Sequence, residues 1–598
     1  MKPEDGTTPS VREVGERSDR PLPNWFPEWA RRLSELYISG TTSMFVLHGN
    51  THDLVRTGDD ADARHVVPAE FLAEQLFGRW DLVLHYDLAR GLRPLVGRDA
   101  ERLKEMVALA NRRLGDMSAL PKDAASVFPL LDRFVHRNIM ADEEDRLRVA
   151  VIIDHASYVV PRGEPGHLSM QASRHLVTLL NWATSPYVKR LNMAFVLMDE
   201  KLSALSERLV GNPHVAAMEV PLPDAGERER FILDVVGAEE LREFSDFGAA
   251  ALAKLTAGIS LTDVNVLIQS NREGGHRLDD GVVRRLKKRL IERQCQGLLE
   301  FIEPRWTLDM VIGHDAAKRR LREDATLLAR GALDSLPMGY LFCGAVGTGK
   351  SFLAQCATGE MGVPCLMLKN FRSKYVGETE GNLERVLSVL RAMGPVVVVI
   401  DEADAALGDR AQEGDSGTSN RVFAMIAAQM GDTRYRGRIL WMLLTCRPDL
   451  LPIDIKRQGR AEVHVPLFYP HGEEEIRDLF VAMARKLGAQ LAPEEVPPVP
   501  QRGDLSGADI EGMVGRAWRR ALLAGKDRIS RDELSEVVAE FMPSTQGLER
   551  ELQETAAIIE CTNRQFLTTE ILDRVEAAGG RVKLQERLTT LKRLIEAY

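Results

Sequence analysis

The run Gly344-Ala345-Val346-Gly347-Thr348-Gly349-Lys350-Ser351 fits G-x-x-x-x-G-K-[ST] at every position, and nothing else in the chain constrains the fold as strongly. Such a run works only between a strand and a helix. Its small residues let backbone N–H groups curl around a phosphate at a helix N-terminus, where the helix dipole favours negative charge. The flanks comply, with Tyr340 to Cys343 reading as a strand and Ser351 to Ala357 as a helix. Lys350 is then expected to reach the β- and γ-phosphates of a nucleotide, and the Ser351 hydroxyl to bind Mg²⁺. Fifty residues beyond Gly344, Gly394-Pro395 opens the apolar strand Val396 to Ile400, which runs into Asp401-Glu402. Carboxylates at the C-terminal end of a buried strand lie where open α/β sheets bind their ligands. Asp401 is expected to hold the magnesium ion, directly or through water, and Glu402 to polarise an attacking water.

The chain is long enough for several folding units: 598 residues, of which 44% are apolar and 28% charged. Strand-like runs at Phe45 to Leu47, Val149 to Ile153 and Met193 to Leu197 alternate with helical patterns at Leu72 to Arg79 and Ser173 to Trp182. The rhythm returns after residue 305, and strands alternating with helices predict parallel α/β sheets. An internal repeat supports two such units. Val220-Pro221-Leu222, the helical stretch Glu227 to Val236 and the segment Gly258 to Val264 are echoed by Val465-Pro466-Leu467, Glu473 to Lys486 and Leu505 to Ile510. Leu222 and Ser260 stand 38 positions apart, Leu467 and Ser506 39. The expected division is a disordered tail (1–22), a first α/β module (23–225) with a helical lid (226–304), a second α/β module (305–468) with its lid (469–545), and a helical extension (546–598).

A net charge of −10 argues against a broad grip on phosphate backbones, so nucleic acid is not the expected partner. The basic stretch Val282 to Arg293 is better read as the solvated face of a lid helix than as a nucleic-acid-binding helix. Pro497 to Pro500 reads as a stiff loop rather than a polyproline ligand. Six cysteines without a C-x-x-C pair indicate neither a zinc ribbon nor a disulfide framework, and a reducing, cytoplasmic compartment is expected. No apolar run is long enough to span a bilayer, and the first residues have no signal-peptide core. His48, His52 and His155 match no metal-ligand spacing, so no metal site is expected from them.

From about Trp306 to Ser544 the chain resembles the AAA+ ATPase clade that contains NSF, katanin, spastin and the FtsH motor. Thr307 to Gly313 is similar to the clade's opening segment, which implies that Ile312 and Gly313 lie against adenine. With the phosphate loop and Phe352 beyond it, these would form the nucleotide pocket. Ser373-Lys374-Tyr375-Val376-Gly377-Glu378 resembles the first pore loop, implying that Lys374, Tyr375 and Val376 touch a polypeptide. Arg457-Gln458-Gly459-Arg460 matches the R-P-G-R arginine-finger segment apart from Gln458, so Arg457 and Arg460 are expected at a neighbouring subunit's γ-phosphate. Ser506-Gly507-Ala508-Asp509 matches the lid motif, with Gly507 and Ala508 near the nucleotide.

One departure stands at Cys446, in Leu444-Thr445-Cys446-Arg447-Pro448, where the clade has asparagine. A thiol is a weak hydrogen-bond donor, so slow hydrolysis is expected unless Thr445 compensates. The first module looks like the same fold without its chemistry: the loop after Phe45-Val46-Leu47 has no Gly-Lys-Ser, and His155 follows Asp154 where a catalytic glutamate would stand.

The resemblance implies two tandem P-loop-type AAA+ modules. The function expected is an ATP- and Mg²⁺-dependent remodelling ATPase, a homo-hexamer acting on a polypeptide client or partner complex. The alternative is a nucleotide-gated scaffold that hydrolyses slowly and threads nothing. No H-E-x-x-H occurs, so metalloprotease chemistry is not expected. The segment after Ser544 reads as a helical hairpin packed against the last lid.

Overall fold

The computed structural model describes residues 22–23, 25–58, 63–164, 166–275, 277–369, 376–407, 418–499, 505–542 and 547–596. The tail expected over 1–22 lies almost wholly outside them. The chain divides into two units, Met1–Ile291 with Glu380–Ala392, and Glu292–Thr379 with Met393–Tyr598.

The first unit carries strands β1 (Met44–Gly49), β2 (Val55–Thr57), β3 (Arg64–Val66), β4 (Leu82–Asp87), β5 (Gly91–Pro94), β6 (Val149–Ile153), β7 (Met193–Asp199) and β8 (Val215–Val220). Six of them form one sheet in the order β5-β4-β6-β7-β1-β8, parallel except where β5 pairs antiparallel with β4. Every residue of β6 and β7 is buried, as helices on both faces of a parallel sheet require. The pattern at Leu72 to Arg79 starts and stops earlier than its periodicity suggests. A helix begins at Pro68, continues as a wider turn over Leu72–Leu76 and ends there; Gly78 then passes so close to the Glu74 carbonyl that a Cβ would lie 2.1 Å from its oxygen. The lid follows, with helices Ala225–Val236 and Leu261–Gly274, the second capped by the Ser260 hydroxyl accepting from the Asp263 N–H. The basic stretch forms the helix Asp280–Gln294, which buries Val283 and Ile291.

The second unit repeats the plan with β9 (Leu299–Ile302), β10 (Gly339–Gly344), β11 (Cys365–Leu368), β12 (Val396–Ile400), β13 (Ile439–Thr445) and β14 (Val463–Leu467). Its order is β14-β10-β13-β12-β11-β9. Numbering only the parallel strands, both sheets read 5-1-4-3-2, and each carries one antiparallel strand beyond strand 2. In the second unit that edge strand is β9, which precedes the expected start of the module at 305 yet pairs with β11. The lid helices Glu473–Lys486 and Gly507–Leu523 occupy the places of their counterparts in the first unit, and Ser506 and Asp509 close a reciprocal cap as the second helix starts.

The C-terminal segment is helical, as expected, but among the described residues it packs chiefly on the α/β core rather than on the lid helices. Helix Gly547–Glu560 lies on the α/β core, touching β10 and β14, and is backed by Gly580–Glu596. Its buried Leu552 and Ala556 pair with Leu588 and Leu591, while the Cys343 thiol donates to the Ala557 carbonyl. The segment is three helices rather than a hairpin: Thr569–Ala577 lies between the other two, and its buried Ile571 clusters with Ile558 and Phe468. The residues left on the first helix, Gln553 among them, match a core surface that already had polar groups to satisfy.

Candidate active site

β10 ends on Gly344 at the C-terminal edge of its sheet, between β14 and β13, where the strand order reverses. Glycine is required there, because a Cβ would lie 2.2 Å from the Leu467 carbonyl oxygen. Gly347 has φ +82°, and a Cβ on it would come within 2.7 Å of the Ser506 hydroxyl at the lid. The helix Lys350–Met361 then starts at Gly349 with no side chain capping it, leaving its first N–H groups to an anion. The loop is braced from outside: the Val346 N–H donates to Gln553 Oε1 at 3.1 Å, and the Tyr469 hydroxyl donates to the Val346 carbonyl at 2.8 Å.

Lys350 is buried, and its Nζ donates to the carbonyls of Gly344 and Ala345, both at 2.9 Å. Its third contact is Cys446 Sγ at 3.2 Å, so the thiol stands beside the loop lysine. Ser351 Oγ donates to Asp401 Oδ2 at 2.9 Å, which brings together the two residues expected at the metal ion. Glu402 follows with φ +48°, and its N–H donates to Asp401 Oδ1 at 2.9 Å. That left-handed turn carries the glutamate past the end of β12 and is a strained position for a non-glycine residue. The Thr445 hydroxyl is already committed: it donates to Asp404 Oδ1 at 2.6 Å and accepts from the Arg447 N–H at 2.8 Å. It is placed to hold the loop rather than to replace a sensor amide.

A cavity of about 260 Å³ opens over this loop. Of the residues the sequence nominated, Ile312, Gly347, Thr348, Gly349, Lys350, Ser351, Phe352, Gly507 and Ala508 line it. Gly313 adjoins the wall with φ +72°, close enough to the Glu475 carboxylate that a Cβ would lie 2.1 Å from Oε1. The sequence reading missed His314, Glu475, Leu479, Met483 and Lys486, which also line it. Four of these recur along one face of the lid helix Glu473–Lys486, so its helical periodicity held the signal. Lys486 Nζ stands 5.0 Å from the centre of the Phe352 ring and bonds to Glu511 at 2.8 Å. Burial, reinforced by nearby Lys318, pushes the His314 pKa down to about 4.

Arg457 and Arg460 are not in the cavity wall of their own chain. Arg457 is exposed beside Asp454 at 3.5 Å, while the more buried Arg460 donates to the Asp454 carbonyl at 2.7 Å. Lys374 and Tyr375 lie outside the described residues, and Val376 is the first residue of the helix Val376–Met393.

The equivalent edge of the first unit is built differently. Gly49 ends β1 with φ +94° against the Val220 carbonyl, the counterpart of Gly344 against Leu467. The loop then turns through Asn50, Thr51 and His52 to a buried Asp53. The Asp53 carboxylate accepts from the N–H groups of Leu261 and Thr262, both at 2.8 Å, and from the Thr262 hydroxyl at 2.9 Å. The N-terminus of the lid helix thus binds a carboxylate of the chain itself, whereas in the second unit the corresponding Gly507 and Ala508 face the cavity.

Comparison with known proteins matches three successive stretches of the chain. The family model described as AAA+ chaperone, N-terminal Rossmann-like domain, matches residues 19–221. The AAA+ chaperone second helical domain matches 226–296, and the ATPase family associated with various cellular activities (AAA) matches 340–469. The chain is 30% identical over 244 residues to the ATP-dependent zinc metalloprotease FtsH 3 of Sphaerobacter thermophilus, covering 39% of this chain and 49% of that protein. It is 36% identical over 141 residues to the uncharacterized AAA domain-containing protein ycf46 of Trieres chinensis, covering 23% and 28%. With Protein mac-1 of Caenorhabditis elegans it shares 27% over 199 residues, covering 32% and 24%. The chain therefore spans half or less of the length of these relatives. Two sheets of one strand order, a complete phosphate loop in the second and three adjoining family matches identify the chain as a member of the AAA+ ATPases, with an AAA+ chaperone Rossmann-like domain and second helical domain preceding the AAA domain.

Proposed function

We propose that this chain is an ATP-driven protein-remodelling ATPase of the cytoplasm, working as a homo-hexameric ring whose second unit hydrolyses ATP while its Tyr375 loop engages a polypeptide. The observation that carries the reading is that Lys350 and Ser351 open an uncapped helix while Ser351 bonds to Asp401, which also accepts from the N–H of Glu402. The first N–H groups of that helix and Lys350 Nζ, once released from the Gly344 and Ala345 carbonyls, hold the phosphates. The apolar wall of Ile312, Leu479 and Met483 takes the base, and Gly507 and Ala508 let the lid helix approach. Ser351 and Asp401 fit a hard cation with oxygen ligands, and Mg²⁺ bound there supplies neutralisation of charge on the transferring phosphoryl group. Glu402, turned out of β12, orients and deprotonates the attacking water. Arg457, exposed and outside its own cavity, reaches across to a neighbour as the cation that stabilises charge on the γ-phosphoryl oxygens.

The test is Glu402→Gln in the full chain, which should bind ATP as the parent does, lose turnover and retain captured polypeptide. Unchanged phosphate release from that variant overturns the assignment of hydrolysis to the second unit. The contact between Cys446 and Lys350 favours a second reading, a nucleotide-gated scaffold that hydrolyses slowly and threads nothing. Tyr375→Ala separates the two: a motor keeps basal hydrolysis and loses client unfolding, whereas a scaffold is unaffected.

A further inference from the structure

At the C-terminal edge of the first sheet, His52 follows β1, Asp154 and His155 follow β6, and Glu200 follows β7. One donor atom from each of His52, Asp154 and His155 lies within 4.8 Å of the other two, and no other such trio of His, Cys, Asp or Glu occurs among the described residues. The position is the one occupied in the second unit by the proposed Mg²⁺ ligands. Asp154 and Asp401 each end a third parallel strand, and each accepts from the N–H of the next residue, at 2.8 and 2.9 Å. The next residues, His155 and Glu402, share the left-handed turn, with φ +51° and +48°. His52 Nε2 stands 3.1 Å from Asp154 Oδ1, as Ser351 Oγ stands 2.9 Å from Asp401 Oδ2. The first unit shares this local backbone geometry, with the His52 imidazole where the second has the Ser351 hydroxyl and the His155 imidazole where it has the Glu402 carboxylate.

We propose that His52, Asp154 and His155 bind a divalent first-row transition ion of the zinc class. Two imidazoles and one carboxylate suit zinc, nickel or iron, whereas magnesium takes oxygen ligands. The surroundings are those of a supported metal centre. A ligating histidine usually donates its second N–H to a carboxylate, and His52 Nδ1 faces Glu200 Oε1 at 3.5 Å. Glu200 is itself paired with Arg385, which belongs to the first unit. Asp154 Oδ2 faces His85 Nε2 at 3.7 Å, leaving Oδ1 for the ion. The Thr51 hydroxyl, buried and without a hydrogen-bond partner, lines the same cavity of about 850 Å³, where it can hold a metal-bound water. On binding, His52 releases its Nε2 proton to solvent, keeps Nδ1–H for Glu200 and donates the freed lone pair to the ion. The imidazole rings of His52 and His155 are stacked at 4.7 Å, and His155 is exposed, so its ring is free to rotate an edge inward. Zinc–nitrogen bonds of about 2.0–2.1 Å require the donors to close to roughly 3.4 Å apart.

The test titrates chelator-treated full-length protein with Zn²⁺ by calorimetry and with Co²⁺ by visible absorption, alongside His52→Gln, His155→Gln and Glu200→Gln. The expected result is one equivalent of Zn²⁺ per chain, undisplaced by millimolar Mg²⁺, with affinity lost by more than a hundredfold in the two histidine variants. Glu200→Gln, which alters an outer partner, should lose about 10- to 100-fold. Circular dichroism and unchanged ATP turnover certify that the variants are folded. Absence of stoichiometric Zn²⁺ binding, affinity in His52→Gln or His155→Gln equal to the parent's, or displacement by Mg²⁺ overturns the proposal.

Discussion

Cys446 is the residue at which this chain departs most sharply from what its loop leads one to expect, and its position gives the departure a measurable weight. Its sulfur lies against Lys350, so an amide introduced there would stand at the phosphate end of the cavity as a donor. Since removing one such donor typically costs about 10²–10³ in rate, Cys446→Asn should raise turnover at saturating ATP by about tenfold or more. Phosphate release with unchanged ATP affinity is the readout. His314 belongs to the same cavity and makes a prediction of opposite kind. Its pKa is about 4 in the fold and near 6.5 when unfolded, so the unfolded chain binds the extra proton. Stability should therefore fall as pH drops below about 6.5 and level off near 4, by at most about 3 kcal/mol. Between pH 6.5 and about 4 the denaturation midpoint of the parent should fall further than that of His314→Asn, which tolerates the same left-handed backbone and lacks the titrating group. The hydrogen bonds that gather Lys350, Ser351, Asp401 and Glu402 at the end of β10 and β12 were legible at this scale because the phosphate-loop pattern fixes each residue type at one spacing. His314 was not, because nothing local distinguishes a histidine in a cavity wall from one in solvent.

Elements carry a different share of the information. The repeat of Val-Pro-Leu, helix and Ser-x-x-Asp exposed the duplicated unit, and both copies take the same strand order and the same serine cap. β9 escaped because an edge strand buries little and its partner is distant in sequence. The packing of Gly547–Glu560 escaped because amphipathic periodicity says which face is buried and never against what. Asp53 shows how one side chain can decide the state of an element. It caps a helix more than 200 residues away, and the backbone N–H groups it satisfies have no substitute in the variant Asp53→Ala. Loss of that cap should destabilise the first unit by about 2 kcal/mol or more, seen as an earlier transition in urea with the second unit's transition unmoved. Coincident shifts of both transitions would contradict it.

For the whole molecule, the proposed ring makes catalysis a property of pairs of subunits. Arg457→Ala should bind ATP normally and lose about 10³-fold or more in turnover. Mixing it with Lys350→Ala should restore part of the activity, because each variant supplies what its neighbour lacks. Mixtures no more active than their components would contradict a finger supplied in trans. The division between the two units also has a consequence for what the molecule can sense. A carboxylate tethered within its own loop competes at an effective concentration on the order of millimolar or higher, and it never diffuses away. Through Asp53 the first lid is held as though its ligand were always present, at any ratio of ATP to ADP. On the proposed function, only the second lid is left to report the energy state of the cell, so the proposed ring would have one clock and one fixed frame against which it runs.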